Sequence, residues 1–381
     1  MPDFGILTPG LGDGDLDDLV LVRAMIRAEV AWVEATGTAQ ESAAVSEAAA
    51  ALSRDELRLE AIARGIAIDA MSTGNPVIGL VRALRAEVPA ATSDSIHRGL
   101  TSQDIVDTAI MLTLREASGA IEASLQRTCA SLERLAVDHR STPVLAYTLG
   151  QAALPTTFGA RVAGWLNGVG EAKRQLAALN ATTPIAYGGA VGNLGDVPLD
   201  AIDTWATLLG LAVPVAPWHV HRSAVTRRAG ALAEVCAELG VLASHVLAGV
   251  RPEVGELAEP SAPGRGASSA MPFKSNPILS ILIRRSAIAA PHMLAQVTSA
   301  AGLATDERPD GAWHAEWEPL RGLARHAVVA SRCAAQLVEG LTFNADAAAR
   351  NLAAFSPQAA SVGSAELFVD RVVAQHTEAE K

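Results

Sequence analysis

The chain has 381 residues, half of them hydrophobic and only 4% aromatic, with a formal net charge of −11. That balance, without any dense Lys/Arg run, argues against a nucleic-acid-binding surface. Cys129, Cys236 and Cys333 are far apart, so neither a disulfide framework nor metal-ligand spacing is present, and a reducing, cytoplasmic setting is expected.

Alanine, the best helix former, dominates, and an all-α bundle is the leading class. The start MPDFGILTPG lacks the charged-then-apolar pattern of a signal peptide. Residues 15–36 predict a helix with Leu19, Val22, Ile26, Val30 and Val33 as its apolar stripe and Gly37 as its stop. A second helix is expected over 41–64, ending near Gly65, and Pro76 can open a short one over 77–85. From Asp104 to about His139 the helical pattern runs unbroken by proline. Residues 141–154 carry little helical signal; helices follow over 155–179 and 199–209, with a Gly-rich stretch between them. In 222–250, Leu232, Val235, Leu239, Leu242 and Val246 repeat at 3-4-3-4 spacing, the seam of a bundle. Glu234, Glu238 and His245 make this run a buried helix rather than a membrane span. Two further long helices are expected over 278–303 and 315–337.

Between the helices expected over 222–250 and 278–303 lies AEPSAPGRGASSAMPFKSNP, residues 258–277. A Pro/Gly-rich loop this long between long helices is usually a lid, a binding loop or disorder. Met271 and Phe273 speak against disorder. Ser268, Ser269, Met271, Lys274 and Asn276 stand at the spacing of the G-S-S-x-M-x-x-K-x-N loop, with Ala267 in place of the glycine. The loop resembles the signature of the fumarase/aspartase superfamily.

Two more stretches extend the likeness. His97, Gly99, Thr101, Ser102 and Asp104 are similar to the superfamily's H-x-G-x-T-S-x-D region. By themselves Ser102 and Asp104 would equally serve as plain helix caps. Residues 147–159 resemble R-T-H-x-Q-x-A-x-P-x-T-x-G and keep Gln151, but Leu149 replaces the histidine and Tyr147 the arginine. That departure counts against the adenylosuccinate and argininosuccinate lyase branches. Residues 3–9, Gly74-Asn75-Pro76-Val77-Ile78 and Gly311-Ala312-Trp313-His314-Ala315-Glu316-Trp317 are similar to the branch of cycloisomerases acting on 3-carboxy-cis,cis-muconate. Arg222 fits a W-x-x-x-R pattern, although Ser223 replaces the usual Asp. His219 and His221 lack acidic or Cys neighbours, and His139 beside the second region reads as a solvated helix-end residue.

The resemblance implies an all-α, fumarase/aspartase-like helical fold with a long central five-helix bundle. It implies an N-terminal helical domain over 1–103, the bundle over 104–340, and over 341–381 the remnant of a C-terminal domain, apparently truncated. It also implies a homotetramer with sites shared between subunits, acting on a small di- or tricarboxylate without metal or other cofactor, and with neither nucleic acid nor membrane as partner. The expected activity is a lactonising cycloisomerase of aromatic catabolism. Another superfamily lyase, or a non-catalytic helical scaffold, is the alternative. Ser268 is the expected proton-transfer residue. His97, Thr101, Ser102, Gln151, Arg222, Met271, Lys274 and Asn276 are the expected substrate-binding residues.

Overall fold

The computed structural model describes residues 6–11, 16–271, 273–355 and 361–379. Residues 3–5 of the N-terminal motif, Asp15 and Pro272 lie outside the described residues. In chain order the elements are α1 (Asp18–Thr36), α2 (Ala39–Arg54), α3 (Glu56–Thr73), α4 (Val77–Ala86), α5 (Ala90–Ser93) and α6 (Ser102–Asp138). Then come β1 (Pro143–Thr148), β2 (Gln151–Thr157), α7 (Phe158–Ala181), α8 (Leu199–Leu209) and α9 (Ser223–Gly249). The chain continues through β3 (Leu257–Ala258), α10 (Ile278–Ala301), α11 (Gly311–Glu339), β4 (Thr342–Phe343), α12 (Ala345–Phe355) and α13 (Ala365–Ala379). The class is all-α, as expected, with five long helices: α6, α7, α9, α10 and α11.

The chain packs as two compact units, each built from three segments. The first comprises Met1–Ser118, Ala178–Ala229 and Ala295–Arg325. The second comprises Gly119–Ala177, Gly230–Leu294 and His326–Lys381. Each of the five long helices contributes residues to both units.

In the first unit α1 lies against α2, α3, α4 and α8. Its buried face is Val22, Met25, Ile26, Glu29, Trp32 and Val33, a helical stripe interrupted by one acid. Trp32 meets Trp205 of α8 edge to face at 5.1 Å between ring centres. The Trp32 indole N–H donates to the Arg98 carbonyl (2.8 Å), which anchors the loop before α6. The helix expected over 41–64 is two helices. Asp55 breaks it with an extended backbone and caps α3 by accepting from the Arg58 N–H (3.0 Å). Gly65 does not stop α3, because a mid-helix glycine costs only about 1 kcal/mol; Gly74, in the left-handed region, does.

In the second unit the helix expected from residue 155 begins only at Phe158. Residues 143–157 instead form an antiparallel hairpin, with Pro155 opposite Leu145. Leu149 and Gly150 occupy its tip at φ 52° and 78°. Two consecutive positive φ values are those of the two-residue turn that matches strand twist. α9 is as expected: Leu232, Val235, Leu239, Leu242 and Val246 are all 0% exposed within the single chain. Their burial needs no second subunit.

Candidate active site

In the first unit, the segment 97–104 is held from several sides. The Asp104 carboxylate accepts from the Thr101 N–H (2.8 Å) and the Gly189 N–H (3.0 Å), and lies 2.8 Å from His219 Nε2. Asp104 is therefore a buried organiser rather than a surface cap. The Gly-rich stretch owes its composition to this contact. Gly189 has φ +65°, and a side chain there would press against the Gly99 carbonyl. His219, 2% exposed, lies against Asp104 and orients it. Among the described residues no group of three or more His, Cys, Asp or Glu is arranged to hold a metal ion.

His97 has φ +64°. Its backbone N–H donates to one oxygen of Glu29 (3.1 Å), and its Nδ1 lies 2.7 Å from the other. An ionised carboxylate only accepts, so Nδ1 carries the proton. His97 and Ser102 line a cavity of about 400 Å³ with Val77, Val81, Arg82 and Arg85 of α4. Arg85 donates to the Ile96 carbonyl (3.0 Å), and Arg82 pairs with Asp69. Close by in sequence, the Thr101 hydroxyl accepts from Arg308. Such a pocket combines apolar walls with hydrogen-bond donors and positive charge, which suits a small carboxylate. A second cavity in this unit, about 420 Å³, is lined by Asp17, Asp18 and Glu318 beside Arg321 and His314. Three carboxylates in its lining make it the poorer host for an anion.

Arg222 is placed differently from the other expected ligands. It is 4% exposed, with Asp107 (1%) and Glu316 (2%) around it. Its NH1 and NH2 grip Asp107 at 2.6 and 3.0 Å, while Nε and NH2 donate to Glu316 at 3.0 and 2.7 Å. Trp218 lies against the guanidinium, 4.9 Å away, and the Trp313 indole donates to Asp107 (3.0 Å). Burial works against the charged guanidinium, but Asp107 and Glu316 outweigh it and hold its pKa above the ordinary value. Burial pushes the Glu316 carboxyl up, against the pull of Arg222. Arg222 is thus engaged by two buried carboxylates in a structural node.

The second unit holds Gln151, Ser268, Met271, Lys274 and Asn276. The loop is tied at its base: the Asn276 backbone N–H and side-chain amide both donate to the Gly266 carbonyl (2.9 and 3.0 Å). Ala267 bridges to Ser275, and a side chain at Gly266 would collide with the Asn276 carbonyl. Glu259 caps α10 by accepting from the Leu279 and Ser280 N–H groups. Asn276 is therefore first a closure of this strap. Within it the Met271 N–H donates to Ser268 Oγ (3.1 Å), and Lys274 stays exposed. Gln151 is exposed beside the hairpin tip, where Leu149 projects fully into solvent. His139 is packed edge-on against Phe158 and Phe343, with burial lowering its pKa. It supplies no free imidazole to replace Leu149.

Sequence reading missed Arg82, Arg85, Arg308 and Glu29. The signal for Glu29 was available as an acid on the inward stripe of α1; Arg82 and Arg85 sit i, i+3 on α4 without any distinguishing pattern.

Over residues 18–290 the chain matches the family described as lyase. It is 44% identical to nitrosuccinate lyase of Streptomyces davaonensis over 371 residues, 92% of this chain and 77% of that protein. It is 38% identical to 3-carboxy-cis,cis-muconate cycloisomerase of Bradyrhizobium diazoefficiens over 290 residues, 74% of this chain and 64% of that protein. The crystal structure of 3-carboxy-cis,cis-muconate lactonizing enzyme from Pseudomonas putida superposes with a TM-score of 0.82 at 27% identity, covering 94% of this chain and 95% of that one. With a family match over most of its length, and with the 258–277 loop and the 97–104 segment bearing the family's motifs, the chain belongs to the lyase family of the fumarase/aspartase superfamily.

Proposed function

We propose that this chain eliminates a weakly basic leaving group from a small substituted succinate, with nitrosuccinate as the first substrate. The observation that carries this is the α4 cavity, whose size and whose Arg82, Arg85, His97 and Ser102 suit a dicarboxylate of a few carbons. Leu149 narrows the leaving group. At the position where many relatives place an imidazole it sits fully exposed on a turn. Without a general acid, an amine leaves poorly, whereas nitrite or a carboxylate departs unprotonated. The 44% identity to a nitrosuccinate lyase supports nitrite.

In this reading Ser268 takes a proton from the carbon next to the one bearing the nitro group. The C–H electrons become the new double bond, and the C–N electrons leave with nitrite, giving fumarate. A serine is a weak base, and the Met271 N–H on its Oγ is a donor of the kind that stabilises an alkoxide. In a site shared between subunits, Thr101 and Ser102 of one copy and Lys274 of another hold the carboxylates, with Gln151 and Met271 lining the substrate. A second reading, lactonisation of 3-carboxy-cis,cis-muconate, is favoured by the 0.82 TM-score to the lactonizing enzyme and also needs no general acid at the leaving group. Assaying purified protein on nitrosuccinate, carboxymuconate, adenylosuccinate and argininosuccinate tests both. Turnover of none of them would leave the scaffold reading.

We also infer a homotetramer. The support is not the α9 seam but the outer faces of two helices: Ile281 and Ile288 of α10 are 42% and 62% exposed, and Val241 of α9 is 49% exposed. Apolar side chains in such rows mark association surfaces. Light scattering should give four chain masses; a single-chain mass would remove sites shared between subunits.

A further inference from the structure

Glu29 is 0% exposed on α1. A buried carboxylate without partners is costly, and such groups are found paired. Both Glu29 oxygens meet one residue: the backbone N–H of His97 at 3.1 Å and its Nδ1 at 2.7 Å. His97 adopts the left-handed region, uncommon outside glycine and concentrated at functional sites. That conformation brings its N–H and its ring onto the same carboxylate. No hydrogen bond to His97 Nε2 is found among the described residues, and the residue lines the α4 cavity with Ser102 and Arg85.

We propose that Glu29 is a positioning residue for this carboxylate site: by gripping the backbone and ring of His97 together, it fixes Nε2 as the ring atom presented to the substrate. The proposal rests on the lyase reading. With Nδ1 held on Glu29, Nε2 is the ring nitrogen left to face the cavity. His97 could not serve both ends if its ring were free to turn. A plain structural acid on α1 would instead stabilise the helix packing and leave ligand affinity alone.

The test is a double-mutant cycle on the full chain, read by calorimetric titration with tricarballylate, a non-reacting tricarboxylate. In Glu29→Gln the amide accepts one of the two N–H groups and confronts the other with its own NH₂. Glu29→Gln and His97→Gln should each weaken binding about tenfold, and the double variant should bind no more weakly than the worse single one. Unchanged affinity in folded Glu29→Gln, or losses that multiply in the double variant, would overturn the proposal. Should Glu29→Gln fail to fold, ¹⁵N NMR of the wild-type imidazole decides, with a proton expected on His97 Nδ1; an unprotonated Nδ1 overturns it. Wild-type protein with no affinity for tricarballylate or succinate would remove the dicarboxylate reading and this inference together, whereas wild-type affinity with an indifferent Glu29→Gln removes this inference alone.

Discussion

Arg222→Leu is expected to lower stability by about 3–5 kcal/mol, because it leaves two buried carboxylates without their cation. Against a usual total of about 5–15 kcal/mol, that change alone brings the protein near unfolding at ordinary temperature. Asp107 and Glu316 are 1% and 2% exposed, so water cannot solvate them in place of the lost guanidinium. The Trp313 and Gln103 donors on Asp107 (3.0 and 3.1 Å) soften the penalty there, but no such neutral donor to Glu316 accompanies Arg222 among the described hydrogen bonds. Arg222→Lys should recover only part, since a point charge cannot fork between the two acids as the planar guanidinium does. Urea unfolding checks this: a lower midpoint with an unchanged slope is expected. A folded Arg222→Leu with normal stability and a raised KM would instead restore Arg222 to the list of substrate ligands.

The second large effect is on turnover. Ser268→Ala is expected to lower kcat by about 10²–10⁴-fold, the usual contribution of a positioned acid or base. Ground-state binding should hardly change, since the lost hydroxyl contributes in the transition state. Lys274→Met acts on charge already present on the substrate, so affinity and turnover should fall together, by about 1.5–3 kcal/mol for a charge-assisted hydrogen bond. Steady-state kinetics with ligand titration separates the two. Near-wild-type kcat in Ser268→Ala would mean that another group moves the proton.

Much of this architecture was legible in the residues, for reasons that differ from place to place. The 3-4-3-4 spacing in α9 identified its buried seam because a helix that packs along its length must repeat its apolar residues at that period. The limits of α8 matched because Pro198 and Gly210 punctuate it on both sides. The hairpin of residues 143–157 was missed where Pro155 looked like a helix opener. Its turn relies on Leu149 at positive φ, a conformation that no leucine signals. At the site, the loop and the 97–104 segment stood out through residue types at fixed spacing. The partners of the 97–104 segment did not, because Glu29 and Arg308 are distant in sequence and gain meaning only through contact. Arg222 shows the reverse: a motif position suggested a ligand, and only the fold reveals the carboxylates around it.

The most direct measurement of the leaving-group claim follows nitrite and fumarate together as purified protein acts on nitrosuccinate, with adenylosuccinate in parallel. The account predicts nitrite and fumarate in equal amounts and no fumarate from adenylosuccinate, where a poorly leaving amine meets a site with Leu149 in place of an imidazole. Fumarate from adenylosuccinate, with nitrosuccinate untouched, would contradict it.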